Sequence, residues 1–344
     1  MLCPVLIGNG KRQYYCPMIN KIIKFFLNLC IGIGFFIGLQ QLIELKTLGF
    51  CLQKIQADDL PDLPQWATSP LSNEEESTLR TLLSQSYHLI GVGSECFAFM
   101  SEDGQTVLKF FKLDHARPVY FRKGLFVEDY SSFSGTISNH PLTQVILPAP
   151  FHHLLQRFLG IREFRIQRTF NSLILAYEEL KQETGLLYLH LNPTDNFHHH
   201  IVLYDGNGIR HEIDLDSARF FLQKCAVPLE HHFEILSKSD RYEDAKKSVD
   251  SLLNLIVDRC KKGFSDRDVF NKNFGFINNQ AIEIDIGSFQ KDSRMQQPWI
   301  YKQELFYSTL ELKSWLKKHY PKMVVYLEDR ISEYVFDEKK ADRT

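Results

Sequence analysis

No Cys-x-x-Cys pair occurs among the seven cysteines, which stand at positions 3, 16, 30, 51, 96, 225 and 260. Their odd number and wide spacing point to neither a disulfide framework nor a zinc site. A dominant charge is missing too. The formal net charge is −2, and no stripe of Arg and Lys alternating with aromatics is present, so nothing indicates a nucleic-acid partner. The longest run of histidines is His198-His199-His200. Successive residues of a strand point to opposite faces, so these three cannot all ligate one ion. What the chain does have is apolar content: 344 residues, 44% hydrophobic and 13% aromatic, enough to bury the core of one large domain or two smaller ones.

Residues 25–43, FFLNLCIGIGFFIGLQQLI, carry no charge and predict a single membrane-spanning helix. Lys11, Arg12, Lys21 and Lys24 precede the run and Lys46 and Lys54 follow it, a bias that sets the amino terminus on the cytoplasmic side. A signal peptide, more natural if translation starts at Met18, and a hydrophobic helix docked on the globular domain are the alternatives. No small-x-small cleavage site stands out after Gly38, so an uncleaved single-pass anchor is expected, with secretion after cleavage as the other localisation. Residues 1–55 thus form an anchor region. The Pro- and acid-rich stretch that follows makes 56–80 a linker. Within it, Ser72-Asn73-Glu74-Glu75 starts a helix through Leu83, because a polar cap followed by Glu suits the positive end of the helix dipole.

The pattern from Ile90 to Phe111 is apolar strand, turn, apolar strand, with paired glycines at Gly91 and Gly93 beside Ser94 and a single Lys109 in the second strand. Glycines let backbone approach a phosphate, and a lysine supplies a compact positive charge. Residues 113–160 read as an insertion with little regular structure. Apolar residues from Phe164 to Leu187 then recur at three and four, a helix carrying Glu178, Glu179 and Glu183. His200–Tyr204, Arg210–Asp214 and Ala218–Lys224 read as strands, the first two joined by the Asp205-Gly206-Asn207-Gly208 turn. A long helix follows Ser239–Glu243 and closes at Gly263. After Asp268, Asn273 comes five residues later, and the run Ile282-Glu283-Ile284 delivers Asp285 and Gly287. Two more helices, near Ile300–His319 and Lys322–Tyr334, end the chain.

The block from Gly263 to Phe289 resembles the catalytic loop and metal-binding motif of the protein-kinase-like superfamily. Asp266-Arg267-Asp268 stands where that family has His-Arg-Asp, Asn273 where it has the loop Asn, and Asp285-Ile286-Gly287 where it has Asp-Phe-Gly. Glycine turn, Lys109, Asp-x₄-Asn and Asp-x-Gly also occur in the family's order. The resemblance implies an α+β, two-lobed kinase-like fold with a reduced carboxy-terminal lobe, the small lobe over 81–225 and the large one over 226–344. It also implies ATP and Mg²⁺ as cofactors: Gly91, Gly93, Ser94 and Lys109 at the phosphates, Glu179 or its neighbours pairing with Lys109, Cys225 at the chain segment beside the adenine, Asn273 and Asp285 as Mg²⁺ ligands, and Asp268 orienting an acceptor hydroxyl.

The expected activity is therefore phosphoryl transfer from ATP to an unidentified acceptor, protein or small molecule. Cys96 at the position of a third glycine, the missing His of the catalytic loop and the missing Ala-Pro-Glu motif depart from the family. They leave open a membrane-tethered pseudokinase that binds without transferring. Nucleotidyl transfer on the same fold and a purely structural membrane protein are the remaining alternatives. An outward-facing domain would also meet little nucleotide.

Overall fold

In the computed structural model, the residues described are 3–7, 11–15, 25–35, 38, 48–56, 62–68, 70–113, 166–266 and 271–336. The chain divides into two compact units, Met1–Cys51 and Leu52–Thr344. The first holds an antiparallel hairpin of β1 (Cys3–Ile7) and β2 (Lys11–Tyr15) and a helix α1 over residues 25–35. Positions 36, 37 and 39–43 of the expected membrane span lie outside the described residues. Among the described residues no helix is long and apolar enough to cross a membrane.

The second unit is α+β. Its largest layer is a mixed seven-stranded sheet in the order β6-β9-β5-β4-β3-β7-β8. The strands are β3 (Tyr87–Val92), β4 (Cys96–Ser101), β5 (Thr106–Phe111), β6 (Leu186–His190), β7 (His200–Tyr204), β8 (Arg210–Asp214) and β9 (Phe220–Lys224). Only the β3–β7 pair is parallel. The stretch from Ile90 to Phe99, expected as one strand, is the end of β3, a turn at Gly93–Glu95 and the start of β4, since the strands reverse on the glycine. Helix α2 (Asn73–Leu83) begins with the expected capping box, Ser72 and Glu75 each bonding the other's backbone N–H. Helices α3 (residues 166–179) and α4 (Lys181–Thr184) precede β6.

Past β9 the chain becomes mainly helical. Short β10 (Val227–Pro228) pairs with β12 (Phe274–Ile277), which pairs with β13 (Gln280–Glu283), while β11 (Phe264–Asp266) pairs with β14 (Phe289–Lys291). Around them pack α5 (Leu229–Lys238), α6 (Tyr242–Lys261), α7 (Pro298–His319) and α8 (Lys322–Phe336). The buried stripe of α6, from Ala245 through Val249, Leu252 and Ile256, meets Phe276, Leu305 and Leu312 in one cluster. A second cluster joins Phe170 and Leu173 of α3 to Phe221, Phe264, Ile286 and Phe289.

The 62–68 part of the expected linker is docked. Trp66 is 2% exposed with its ring edge-on to Phe170, and Asp62 pairs at 3.0 Å with the buried Arg219. A composition rich in proline and acid set the expectation of a free spacer, yet one buried indole is enough to anchor it. The insertion expected at 113–160 lies, after Leu113, outside the described residues.

Gly275 on β12 marks a close approach of backbones. A Cβ there would lie 2.9 Å from Ala226 Cβ, 3.1 Å from Ile284 Cγ2 and 3.2 Å from the Val227 carbonyl oxygen. Gly275→Ala is expected to destabilise the protein by about 1–3 kcal/mol, read from the urea midpoint, since β10 and the exit of β13 would have to part. An unchanged midpoint would contradict this packing.

His232 of α5 stacks on Phe276 at 4.3 Å and its Nε2 lies 2.8 Å from the Ser248 hydroxyl. Burial, reinforced by Arg241 and opposed by Asp244, pulls its pKa down to about 4. The unfolded chain then binds the proton more readily, so stability from neutral His232 is complete above the ordinary histidine value of about 6.5 and is lost as pH falls from there through about 4. Urea midpoints should fall with acid across that window, and more gently in His232→Gln. Parallel slopes in the two proteins would count against the assignment.

Candidate active site

The glycine turn after β3 is tightly held. The Gly93 N–H donates to the Cys96 carbonyl at 2.9 Å, Lys112 N–H to the Glu95 carbonyl at 2.7 Å, and Lys112 Nζ to the Gly93 carbonyl at 2.6 Å. Beneath it opens a cleft of about 650 Å³, within the range of small-molecule sites. Its walls come from both sides of the unit: Gly91, Gly93, Ser94 and Lys109 from the sheet, Asp285 and Gly287 from the segment after β13. Four of the residues expected at phosphate therefore border one cavity with Asp285.

Lys109 sits mid-strand, opposite Ala98 on β4 and Phe221 on β9, so its stem is flanked by the sheet. Its Nζ lies 5.3 Å from the centre of the Phe221 ring and donates to the Ile284 carbonyl at 2.6 Å. Burial pushes the Lys109 pKa down, partly offset by Cys96 and Asp285. Burial also pushes the Cys96 thiol well up, outweighing the pull of Lys109, so Cys96 is a neutral wall of the cleft.

Asn273 closes the short turn Asn271–Asn273 and is buried. Its carbonyl accepts the N–H of Ile284 at 2.7 Å and of Asp285 at 3.4 Å, so Asn273 and Asp285 are joined through the backbone. Asp268, with residues 267–270, lies outside the described residues. Around Gly287 several groups converge: an added Cβ would meet Glu95 Oε2 at 3.6 Å, Asp285 Oδ1 at 3.8 Å and Thr169 Cγ2 at 3.9 Å. Thr169 donates its hydroxyl to Glu95 at 2.5 Å, and Ser172, one turn on, bonds the Ile286 carbonyl and accepts the Phe289 N–H at 2.8 Å. Helix α3 thus holds the 286–289 segment through the Ser172 hydroxyl and the glycine turn through that of Thr169.

That arrangement corrects one expectation. Glu179 faces Lys291, 2.5 Å away, Glu183 pairs with Lys262, and Glu178 is exposed. The part of α3 that borders the cleft carries Arg168, Thr169 and Leu173, closer to the start of the helix. Helical period identified the packed face but could not say which turn of it crosses Lys109. Cys225 is displaced as well: its N–H bonds the Gln105 carbonyl at 2.8 Å, and the cleft wall there comes from Lys224, Ala226 and Pro228. Glu95, Thr169, Gln223 and Lys272 also line the cleft without having been singled out in the sequence. Thr169 and Ser172 were findable as a polar gap within an apolar helical face.

A buried ion network supports the floor. Arg259 of α6 is fully buried, with Nη1 2.6 Å from Glu283 Oε1 and 3.6 Å from Asp266 Oδ2, and Nη2 2.9 Å from Glu304 Oε1. Asp266 in turn accepts from the Ser288 hydroxyl. The network therefore ties the end of β11 to the residue after Gly287. Burial works against the Arg259 charge, but the carboxylates outweigh it and hold its pKa up. Burial pushes Glu283 up to about 8 despite Arg259 beside it.

Fold and cleft define an α+β protein with a small-molecule-sized cavity between a mixed sheet and the segment after β13, flanked by α3. No protein-family model and no curated protein sequence matches the chain. A solved structure of Rv3197 from Mycobacterium tuberculosis in complex with erythromycin is 12% identical, with 80% of this chain and 73% of that one covered, at a TM-score of 0.29. A likeness that loose defines neither fold family nor activity.

Proposed function

We propose that the chain is an atypical Mg²⁺- and ATP-dependent phosphotransferase of two-lobed, kinase-like fold, acting on an acceptor hydroxyl. The observation that carries this reading is the convergence of the glycine turn, Lys109, Asp285 and Gly287 on one cleft, with Asn273 joined to Asp285 by backbone hydrogen bonds. The donor set fits Mg²⁺. An amide and a carboxylate are hard oxygen donors, and Mg²⁺ is held by one or two such groups plus phosphate oxygens, not by a protein cage.

In this reading Lys109 fixes the α and β phosphates, Asn273 and Asp285 hold the Mg²⁺, and Asp268 orients the acceptor. The acceptor oxygen forms its bond to the γ-phosphorus as the bond to the β–γ bridging oxygen breaks. ADP leaves, and the hydroxyl proton passes to Asp268 or water. Catalysis is positioning and charge neutralisation, which is the task these polar groups suit.

A binding-only pseudokinase is the second reading. It is favoured by Glu95, whose carboxylate reaches the space around Gly287 where phosphate charge would otherwise sit, and by a cleft-facing turn of α3 that offers Thr169 and no glutamate to Lys109. ATP labelled in the γ or the α position separates the possibilities. Mg²⁺-dependent release of ADP or transfer of γ-label supports the kinase, and transfer of α-label supports nucleotidyl transfer. Binding without either supports the pseudokinase, and absence of Mg²⁺-dependent binding removes all three.

A further inference from the structure

Helix α7 is apolar on two opposite sides. Tyr301, Leu305, Leu312 and Leu316 form the stripe buried in the helical core. At about 100° per residue, Trp299, Phe306 and Leu310 fall on the far side of the same helix, with Tyr307 at its margin. They are exposed: Trp299 60%, Phe306 47%, Tyr307 66% and Leu310 44%. Isolated surface apolar residues need no explanation, but four along one side of a single helix, three of them aromatic, mark an interaction surface.

The charge that α7 itself contributes to this face has one sign. The outward arc carries Lys302, Lys313 and Lys317 and no acidic residue of α7. The helix's acids, Glu304 and Glu311, are turned to another flank, where they bond Arg259 and the Asn271 N–H. Glu328 of α8 bridges Lys313 at 2.6 Å and is also felt by Lys317, so one carboxylate faces two of these lysines and the three together leave a positive surplus. Aromatic rings interleaved with lysines along one helical face are the chemistry of a membrane interface: rings enter the headgroup layer while ammonium groups meet anionic lipid. The same chain carries the uncharged run 25–43, a segment suited to a lipid phase.

We propose that the outward face of α7, built on Trp299, Phe306 and Leu310 with Lys302 and Lys317, docks on an anionic lipid surface. This surface is separate from the cleft, so it stands whatever the cleft binds.

The test uses the full chain with vesicles of phosphatidylcholine alone, or with about one part in three phosphatidylserine, some carrying brominated acyl chains. Because residues 25–43 could bring the chain to a vesicle unaided, the readout is local to Trp299. The other tryptophans, Trp66 and Trp315, are buried and half-buried, and Trp299→Phe supplies their background. Bromine quenching on anionic vesicles that disappears in Trp299→Phe is the expected result. Lys302→Glu together with Phe306→Ser should lower the quenching of Trp299 by brominated lipid on anionic vesicles about threefold or more without changing the melting temperature. Flotation with Trp299 unquenched, or quenching indifferent to the lysine and phenylalanine changes, would overturn the proposal. So would a dimer that dissociates in the double variant, which would assign the face to a second copy of the chain.

Discussion

Arg259→Leu is expected to lower the unfolding free energy by about 3–5 kcal/mol, the usual consequence of removing one partner of a buried ion pair. Glu283 lies at 2.6 Å and is fully buried, so loss of the guanidinium leaves its carboxyl group and Asp266 without their hydrogen-bonding and charge partner in a medium that cannot solvate them. Arg259→Lys should recover only part of the loss. One ammonium cannot reach both Glu283 and Glu304, which the two guanidinium nitrogens contact from different sides. Adding Glu283→Leu to Arg259→Leu should return a sizeable share of the stability, because the cost lies mostly in the buried polar group left without a partner. Urea denaturation of the four proteins checks this. Single and double variants within about 1 kcal/mol of the parent would show that the network does not carry the helical core.

The second large effect is expected at Lys109 and Asp285. Lys109→Met keeps most of the stem's volume between Ala98 and Phe221 and removes only the charge and its bond to the Ile284 carbonyl. Nucleotide affinity should fall about tenfold or more, because the positive charge facing the cleft would be gone. Asp285→Ala should abolish the Mg²⁺ dependence of binding while leaving nucleotide alone still weakly bound, since the ligand of the metal is lost and the glycine turn is not. Equilibrium titration of a fluorescent ATP analogue, with and without Mg²⁺, reads both. Affinities equal to the parent's in both variants would mean that the nucleotide does not use this cleft.

Much of the architecture was legible because local chemistry decides it. The turn Asp205–Gly208 is held by the Asp205 carboxylate accepting the N–H of Asn207 and of Ile209, and Gly208 takes φ 76°, a conformation glycine adopts without penalty. The flanking strands then start and stop where the alternation says. The two carboxy-terminal helices begin and end within two residues of expectation for the same reason: apolar period, with Pro298 at the first turn of α7. Lys109 was legible as a polar residue in an apolar strand and Asp285 as the acid that follows one, and the structure sets both on the cleft.

What was not legible depends on partners distant in sequence. The assignment of Glu179 failed because nothing local records that Lys291 lies across from it. The Arg259 network had a signal that went unused. Glu283 interrupts an apolar strand and Arg259 adjoins Cys260 on the buried face of a helix, and two opposite charges in buried positions imply each other. Asp216 shows the same limit. Its carboxylate accepts the Thr194 hydroxyl and the N–H groups of Asn196, Phe197 and His198, which fixes the start of the histidine run from a residue well downstream of it.

The most direct measurement of the central claim is the thermal stability of the full chain against ATP, with and without Mg²⁺, beside Asp285→Ala. A ligand bound only by the native state adds stability set by its concentration over its dissociation constant, about 2.7 kcal/mol at a hundredfold excess. A rise in melting temperature that needs Mg²⁺ and vanishes in the variant is the predicted result. No shift in well-folded protein at millimolar nucleotide, or the same shift in Asp285→Ala, would contradict the account.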